Sequence, residues 1–182
     1  MTAEPDEVRT PRLRLRRPVE EDTAFALALL SDPWTTAHNP SDAIGSMREA
    51  REQVQRWRDQ WSAGLGYWVV ERLDAPAPIG VCGVRAADLD GIPIWNVLYR
   101  FAPGAWGHGY AREAAGEALR AARAVDATRP VVARVRPANA ASARVAAAIG
   151  LERRPDLDTA GEDGPDEIWS TPDAPIRSAR TA

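Results

Sequence analysis

The chain has 182 residues, with 23 Lys+Arg against 26 Asp+Glu and a formal net charge of -3. That slightly acidic balance excludes a general nucleic-acid surface, and no apolar run reaches the length of a membrane span. Cys82 is the only cysteine, so no intrachain disulfide can form and neither a cysteine-based metal site nor any other bound metal is expected.

In chain order, Met1 to Val8 is polar and acidic, with no signal-peptide pattern, and residues 1–9 read as a flexible N-terminus. A soluble cytoplasmic protein is expected. Arg12-Leu13-Arg14-Leu15-Arg16 alternates with period two and predicts the first strand, its arginines on the solvent face of a sheet edge. Glu20, Glu21 and Asp22 suit a helix start, and Phe25, Ala26, Leu29 and Leu30 supply its apolar face. Ser31 to Gly45 is rich in Pro, Asn, Asp and Ser and reads as loop. Ser46-Met47-Arg48-Glu49 is a capping box, opening a helix whose stripe is Met47, Ala50, Val54, Trp57 and Trp61. Gly66–Glu71 and Ile79–Val84 read as the two strands of a hairpin, and Asp88–Gly91 turns the chain into the next strand.

The most informative stretch follows. Ile94–Phe101 reads as a strand, stopped by Ala102-Pro103. Then Ala105-Trp106-Gly107-His108-Gly109-Tyr110-Ala111-Arg112 places two glycines one residue apart at the start of a helix carrying Ala111, Ala114, Ala115, Ala118, Leu119, Ala122 and Val125 at helical spacing. The first-turn N–H groups of a helix have no intrahelical partner, the dipole there favours an anion, and glycine lets the backbone approach a phosphate closely. An ordinary strand-to-helix loop would show the same glycines. Val131–Val135 is the next strand. Asn139 and Ser142 open another helix, which Gly150 stops. Asp156–Asp166 is acidic and glycine-bearing, Glu167–Ser170 reads as a last strand, and 172–182 reads as a disordered tail. Residues 10–171 therefore form one domain, an α/β (α+β mixed) fold with a mostly antiparallel sheet of about six to seven strands and helices on both faces.

This series of strand, glycine turn, helix, strand, Asn-x-x-Ser, helix and glycine resembles the GNAT superfamily of N-acetyltransferases, in particular the branch with the ribosomal-protein N-terminal acetyltransferases. Thr10–Arg16 and Leu29-Leu30-Ser31-Asp32-Pro33 look like that branch's first strand and first helix. The resemblance implies acetyl-CoA as cosubstrate and an amine acceptor, either a small molecule or a protein N-terminus. It implies that backbone N–H groups of Gly107, His108, Gly109, Tyr110 and Ala111 cradle the pyrophosphate. Trp106 stands where relatives usually carry Arg or Gln. It further implies that the strand end near Phe101 pairs with the pantetheine arm, that the Asn139 side chain meets that arm, and that Ser142 lies near the sulfur end or the phosphates. Capping alone would also place Asn139 and Ser142 at a helix start.

For catalysis, Asn96 occupies about the position of the glutamate base in many relatives, and no base announces itself. Glu113 serves the helix dipole. His38, Asp88 and Asp90 lie on loops that could border an acceptor cleft, and a water chain to solvent would serve equally. The tyrosine that relatives place after the Asn-x-x-Ser helix is missing, which leaves Ser142 as the acid candidate. Two other functions stay open. One is a GNAT-like module that holds acyl-CoA without transferring it. The other is a dinucleotide enzyme, which the missing third glycine disfavours. The acidic loop Asp156–Asp166 could attract a cationic acceptor. Trp34 and Trp95, if exposed, would mark an acceptor pocket or the face of a homodimer.

Overall fold

Alternating strands and amphipathic helices assemble here into one eight-stranded sheet with helices on both faces. The computed structural model describes residues 7–172; the ends of the expected flexible N-terminus and tail, 1–6 and 173–182, lie outside it. The strands are β1 (Glu7–Arg9), β2 (Leu13–Arg16), β3 (Tyr67–Arg72), β4 (Pro78–Leu89), β5 (Ile92–Phe101), β6 (Val131–Val135), β7 (Glu152–Arg153) and β8 (Glu167–Ser170). The helices are α1 (Thr23–Ser31), α2 (Pro33–Thr36), α3 (Met47–Asp59), α4 (Tyr110–Val125) and α5 (Ala140–Ala148). The spatial order is β1-β2-β3-β4-β5-β6-β8-β7. Only β5 and β6 run parallel; every other neighbouring pair is antiparallel. No helix among the described residues is long and apolar enough to cross a membrane.

The sheet has slightly more strands than expected because both edges carry short ones. One of them, β1, falls in the stretch read as flexible and pairs Val8 with Leu15. A three-residue strand gives too little alternation to be seen in sequence. Its presence moves β2 off the edge and changes what the β2 arginines do. Arg14 and Arg16 do not simply face water. Arg16 holds the buried Glu71 (2.7 Å) and Asp22 (2.7 Å), and Arg14 reaches Glu71 (3.1 Å) and Glu7 (2.7 Å). A buried carboxylate is stable only when paired in this way.

Strand alternation sends two sets of side chains to opposite faces. Leu13, Leu15, Trp68, Val70, Val84 and Trp95 pack under the alanine face of α4 and against Ala146 of α5. On the opposite face, Val69 and Val81 pack under Ala26, Leu29 and Leu30 of α1 and Ala50, Val54 and Trp57 of α3. The α3 stripe is shorter than its sequence pattern suggests. Met47 is exposed, and α3 ends at Asp59 before Trp61. Trp61 instead sits in the following 3-10 turn and packs on Trp68 in the α4-side core, its Nε1–H donating to Tyr67 O (3.2 Å). Ser46 and Glu49 form the expected capping interaction, Ser46 Oγ accepting from Glu49 N and donating to Glu49 Oε2. The stretch 31–45, read as loop, contains α2, because Asp32 accepts from Trp34 N and Pro33 sits at the first helical position.

Candidate active site

Where β5 and β6 part, the sheet opens. The two strands pair only at Trp95↔Val131 and Asn96↔Val132, while β5 runs on to Phe101 beside β4 and β6 runs on to Val135 beside β8. Trp95 N–H donates toward β6, to Pro130 O (2.7 Å). Peptide groups alternate sides along a strand, so those of Val97, Tyr99 and Phe101 also face the gap. The Phe101 carbonyl is taken by the indole N–H of Trp106 (2.7 Å). The Val97 N–H closes the last rung of the ladder on Val132, so the Val97 carbonyl, the Tyr99 peptide groups and the Phe101 N–H form the strand edge that faces the gap, at and just upstream of the contact expected near Phe101. The gap is a cleft of about 310 Å³, lined among others by Trp34, His38, Val97, Tyr99, Phe101, Trp106, Ala111, Asn139 and Ser142.

The glycine turn stands beside this cleft. Gly107 and Gly109 have φ of 77° and 78°, a conformation only glycine adopts without strain, and Gly109 is the N-cap residue of α4. Among the described residues, none of the N–H groups of Gly107, His108, Gly109, Tyr110 and Ala111 donates to a protein acceptor. From the turn, Trp106 and Ala111 line the cleft, and the intervening residues stand at the surface next to it. The His108 ring stacks on Tyr110 (5.5 Å) and its Nδ1 contacts Trp106 O (2.7 Å), so the ring serves the turn itself.

Glu113 does more than face the helix dipole. Its carboxylate accepts from Thr10 Oγ1 (2.6 Å), Arg12 N (2.9 Å) and Arg12 Nε (2.7 Å), and Arg12 Nη1 in turn donates to His108 O (2.9 Å). Partial burial pushes this carboxyl up, but the hydrogen bonds from Thr10 and Arg12 outweigh it and hold the group below its ordinary value. The β1–β2 connection is thereby pinned to the start of α4 and to the turn.

On the far wall, Asn139 Oδ1 caps α5 by accepting from Ser142 N (3.0 Å). Ser142 Oγ donates to the Tyr99 hydroxyl (3.1 Å), and that hydroxyl donates to Ser142 O (3.0 Å). Burial pushes the Tyr99 phenol up to about 12, so it keeps its proton at neutral pH. Tyr99 is the functional candidate that sequence reasoning missed. It lies 43 residues from Ser142, on a strand. The available signal was alternation: Tyr99 is two residues from Phe101 and shares its face.

A second, larger cleft of about 900 Å³ opens on the opposite face of the sheet, under α3 and the loop before β8. It meets the first at Asn39, Val97, Leu98, Arg100, Arg134 and Arg136. On its floor Tyr67 OH accepts from Arg85 Nε (3.1 Å) and Asn96 Nδ2 (3.4 Å). Burial pushes the Tyr67 phenol up. Arg136 ties three segments together over the junction. It donates to His38 O (3.1 Å) and Gly164 O and pairs with Asp166 (3.0 Å) and Asp163 (3.7 Å).

Several expected residues lie elsewhere or are already committed. Trp95 is buried against the ring-stacked Arg129 and marks neither a pocket nor a face. Trp34 is 71% exposed and lines the smaller cleft. Asp90 occupies a turn and lines neither cleft; Asp88 lines the larger one, its carboxylate accepting from Gly91 N (2.7 Å). The acidic loop is largely neutralised: Asp156 pairs with Arg154, Asp158 with Arg153, and Asp163 and Asp166 with Arg136. No carboxylate stands at Asn96, whose amide holds Tyr67. No group of three or more His, Cys, Asp or Glu among the described residues converges as a metal site would.

Comparison with known proteins places this geometry. The family model of the acetyltransferase (GNAT) domain matches residues 12–152. A Bacillus subtilis (strain 168) relative, the uncharacterized protein YkkB, is 31% identical over 145 residues, 78% of this chain and 83% of its own. An acetyltransferase structure from Agrobacterium tumefaciens str. C58 superposes with a TM-score of 0.78 at 22% identity, covering 93% of this chain and 96% of that one. The structure of RimL, a ribosomal L7/L12 alpha-N-protein acetyltransferase in complex with coenzyme A, superposes with a TM-score of 0.72 at 17% identity, covering 91% and 97%.

Proposed function

The chain belongs to the GNAT acetyltransferase family, and from that premise we propose that it moves an acetyl group from acetyl-CoA to a primary amine by direct attack. The observation that carries this reading is the paired geometry of the wedge: the β5–β6 ladder stops after Asn96↔Val132, and unpartnered amides at Gly107–Ala111 stand beside the opening. An acyl-CoA needs both features. Its pyrophosphate suits a helix N-terminus with free N–H groups, and its pantetheine amides suit an open strand edge, here from the Val97 carbonyl through Tyr99.

In this reading the amine enters from the larger cleft and meets the thioester where the two clefts join. The amine nitrogen bonds to the thioester carbon, the carbon–sulfur bond breaks, and the sulfur leaves with the electron pair. The gap-facing N–H groups of β5 stabilise the charge that develops on the carbonyl oxygen. Ser142 gives its hydroxyl proton to the sulfur by turning from Tyr99, to which that hydroxyl otherwise donates, and water returns a proton to Ser142 Oγ; Tyr99, whose own O–H is on Ser142 O, holds the serine in place. The amine's own proton leaves through water, since no carboxylate stands at Asn96. Holding both reactants in one cleft supplies much of the acceleration.

That same absent carboxylate favours the second reading, a module that binds acyl-CoA without transferring it. One experiment separates the two. Thermal shift with CoA is expected to raise the melting point under either, because a ligand that binds only the folded chain stabilises it. Thiol release from acetyl-CoA across a broad amine panel is expected only from the transferase. A CoA shift without thiol release would establish the module, and no CoA shift at all would end both.

A further inference from the structure

The larger cleft carries arginines in two different states. Arg100 pairs with Asp42 (2.5 Å) and Arg136 with Asp166 and Asp163, so their charges are met within the protein. Arg85 and Arg134 line the same cleft, and among the described residues neither pairs with a carboxylate. Arg85 makes neutral contacts only, Nε to Tyr67 OH (3.1 Å) and Nη1 to Ala86 O (3.4 Å). Arg134 uses Nη2 on Asp88 O (3.0 Å). Both guanidinium groups thus reach the same β4 segment, 85–88, with N–H donors to spare.

Their place in the sheet matters as much as their charge. Arg85 is the register partner of Asn96, the last β5 residue that still pairs with β6. Arg134 lies two residues beyond Val132, Asn96's partner on β6, at the start of the gap. The two arginines therefore flank the point at which an amine from this cleft would meet a thioester in the wedge. Tyr67, itself held by Asn96, accepts from Arg85 Nε, and apart from the Nη1 contact to Ala86 O the terminal N–H groups of this cleft-lining arginine have no partner among the described residues. A guanidinium held this way presents a fork of parallel donors that matches an oxyanion. The remaining cleft carboxylates, Asp59, Asp88 and Glu162, leave the surface mixed in sign, suited to a ligand carrying both charges.

Building on the acetyl-transfer reading, we propose that the acceptor is an amine that also bears an oxyanion, a carboxylate or phosphate close to the amino group, and that Arg85 and Arg134 recognise it. A polycationic amine is the wrong partner, because it would place ammonium groups against two unneutralised guanidiniums.

The test compares matched acceptors in the thiol-release assay: a dipeptide, its C-terminal amide, an aminoalkyl phosphate of similar length, and spermidine. The anionic acceptors are expected to exceed the amide in kcat/KM by about tenfold, the scale of one charged hydrogen bond, with spermidine last. Whether dipeptide or phosphate leads identifies the oxyanion. Arg85→Ala is expected to level the dipeptide with its amide, mainly through KM, while Arg85→Lys keeps part of the preference. Arg134→Ala gives the same loss in a residue that does not touch Tyr67, which guards against a folding artefact. Calorimetric titration of the CoA-loaded protein with the same acceptors reads the preference without turnover. Equal use or equal binding of the dipeptide and its amide, or a preference for spermidine, would overturn the proposal while leaving acetyl transfer intact. A calorimetric preference lost in Arg85→Ala, with no thiol release from any amine, would uphold the anion site and remove the transferase reading.

Discussion

The two clefts that meet at Val97 and Leu98 are built from different parts of the chain. The wedge between β5 and β6 is mostly backbone: an interrupted ladder, a strand edge from the Val97 carbonyl through Tyr99, and open amides in a glycine turn. The larger cleft is mostly side chain, drawn from α1, α3, β3, β4, β5, β6 and two loops. Backbone devices tolerate change in the side chains they carry, whereas a side-chain surface is rewritten by single substitutions. One fold can therefore keep a fixed donor and change its acceptor, and the two halves are expected to answer mutation differently.

The largest effect is expected where side chains enter the backbone half. Tyr99→Phe removes the hydroxyl that accepts from Ser142 Oγ and donates to Ser142 O. If that pair delivers the proton to the leaving sulfur, kcat falls about hundredfold, the usual scale for a positioned acid, while CoA still raises the melting point. An unchanged kcat would take Tyr99 out of the mechanism. The same variant has a signature in pH. The phenol is raised from an ordinary value near 10 to about 12, so below pH 10 it is neutral whether the chain is folded or not. Above pH 10 the unfolded chain ionises first and stability declines through pH 12. Alkaline melts of Tyr99→Phe should lack this part of the decline.

Legibility followed the same division. The wedge rests on local patterns: the glycine pair, the alanine-lined helix and the Asn-x-x-Ser start each sit within a few residues, so their places could be read. The parting of the strands could not, since Val97 through Phe101 look like any strand until β6 is seen to leave them. Tyr99 was hidden because its partner is distant in sequence. The larger cleft was almost wholly illegible. Arg85 reads as one arginine in a hairpin, and only the sheet register sets it opposite Asn96 and beside Tyr67. Charge counting misled at the acidic loop, where Arg153 and Arg154 absorb carboxylates a few residues on and Arg136 absorbs Asp163 and Asp166 from a position no local pattern connects. Strand β1 and helix α2 were too short to leave a period.

Gly109→Val tests the backbone half directly. The residue holds φ 78°, and a β-branched side chain there costs about 1–2 kcal/mol or more, or forces the turn to another shape. Either response moves the open amides, so the CoA-dependent shift in melting should shrink together with the intrinsic stability. A full CoA shift on this variant would mean that the turn's geometry is irrelevant to the ligand. A smaller and more selective effect belongs to Asn139→Asp. A carboxylate caps a helix as well as the amide does, so Ser142 N keeps its acceptor and melting in the absence of ligand should hold. The substitution replaces the amide N–H₂ with a negative charge on the wall of the wedge. CoA affinity should fall about tenfold if Asn139 donates to the arm or lies near the phosphates, the scale of one lost hydrogen bond to a ligand. Unchanged affinity would reduce Asn139 to a cap.

The smallest effect is expected at the most conspicuous side chain of the turn. His108 lies between the two glycines, and a cationic ring there would be the intuitive partner for a phosphate. The structure gives it other work: its ring stacks on Tyr110, its Nδ1 meets Trp106 O, and its carbonyl accepts from Arg12. The ring braces the turn, but an anion would depend on the peptide N–H and on the carbonyl contact that fixes the backbone, and alanine keeps both. His108→Ala should therefore leave CoA affinity and melting within about 0.5 kcal/mol of the parent, as for an ordinary surface change. A loss as large as that of Gly109→Val would place the anion on the imidazole. It would also undo the contrast between a donor site made of backbone and an acceptor site made of side chains.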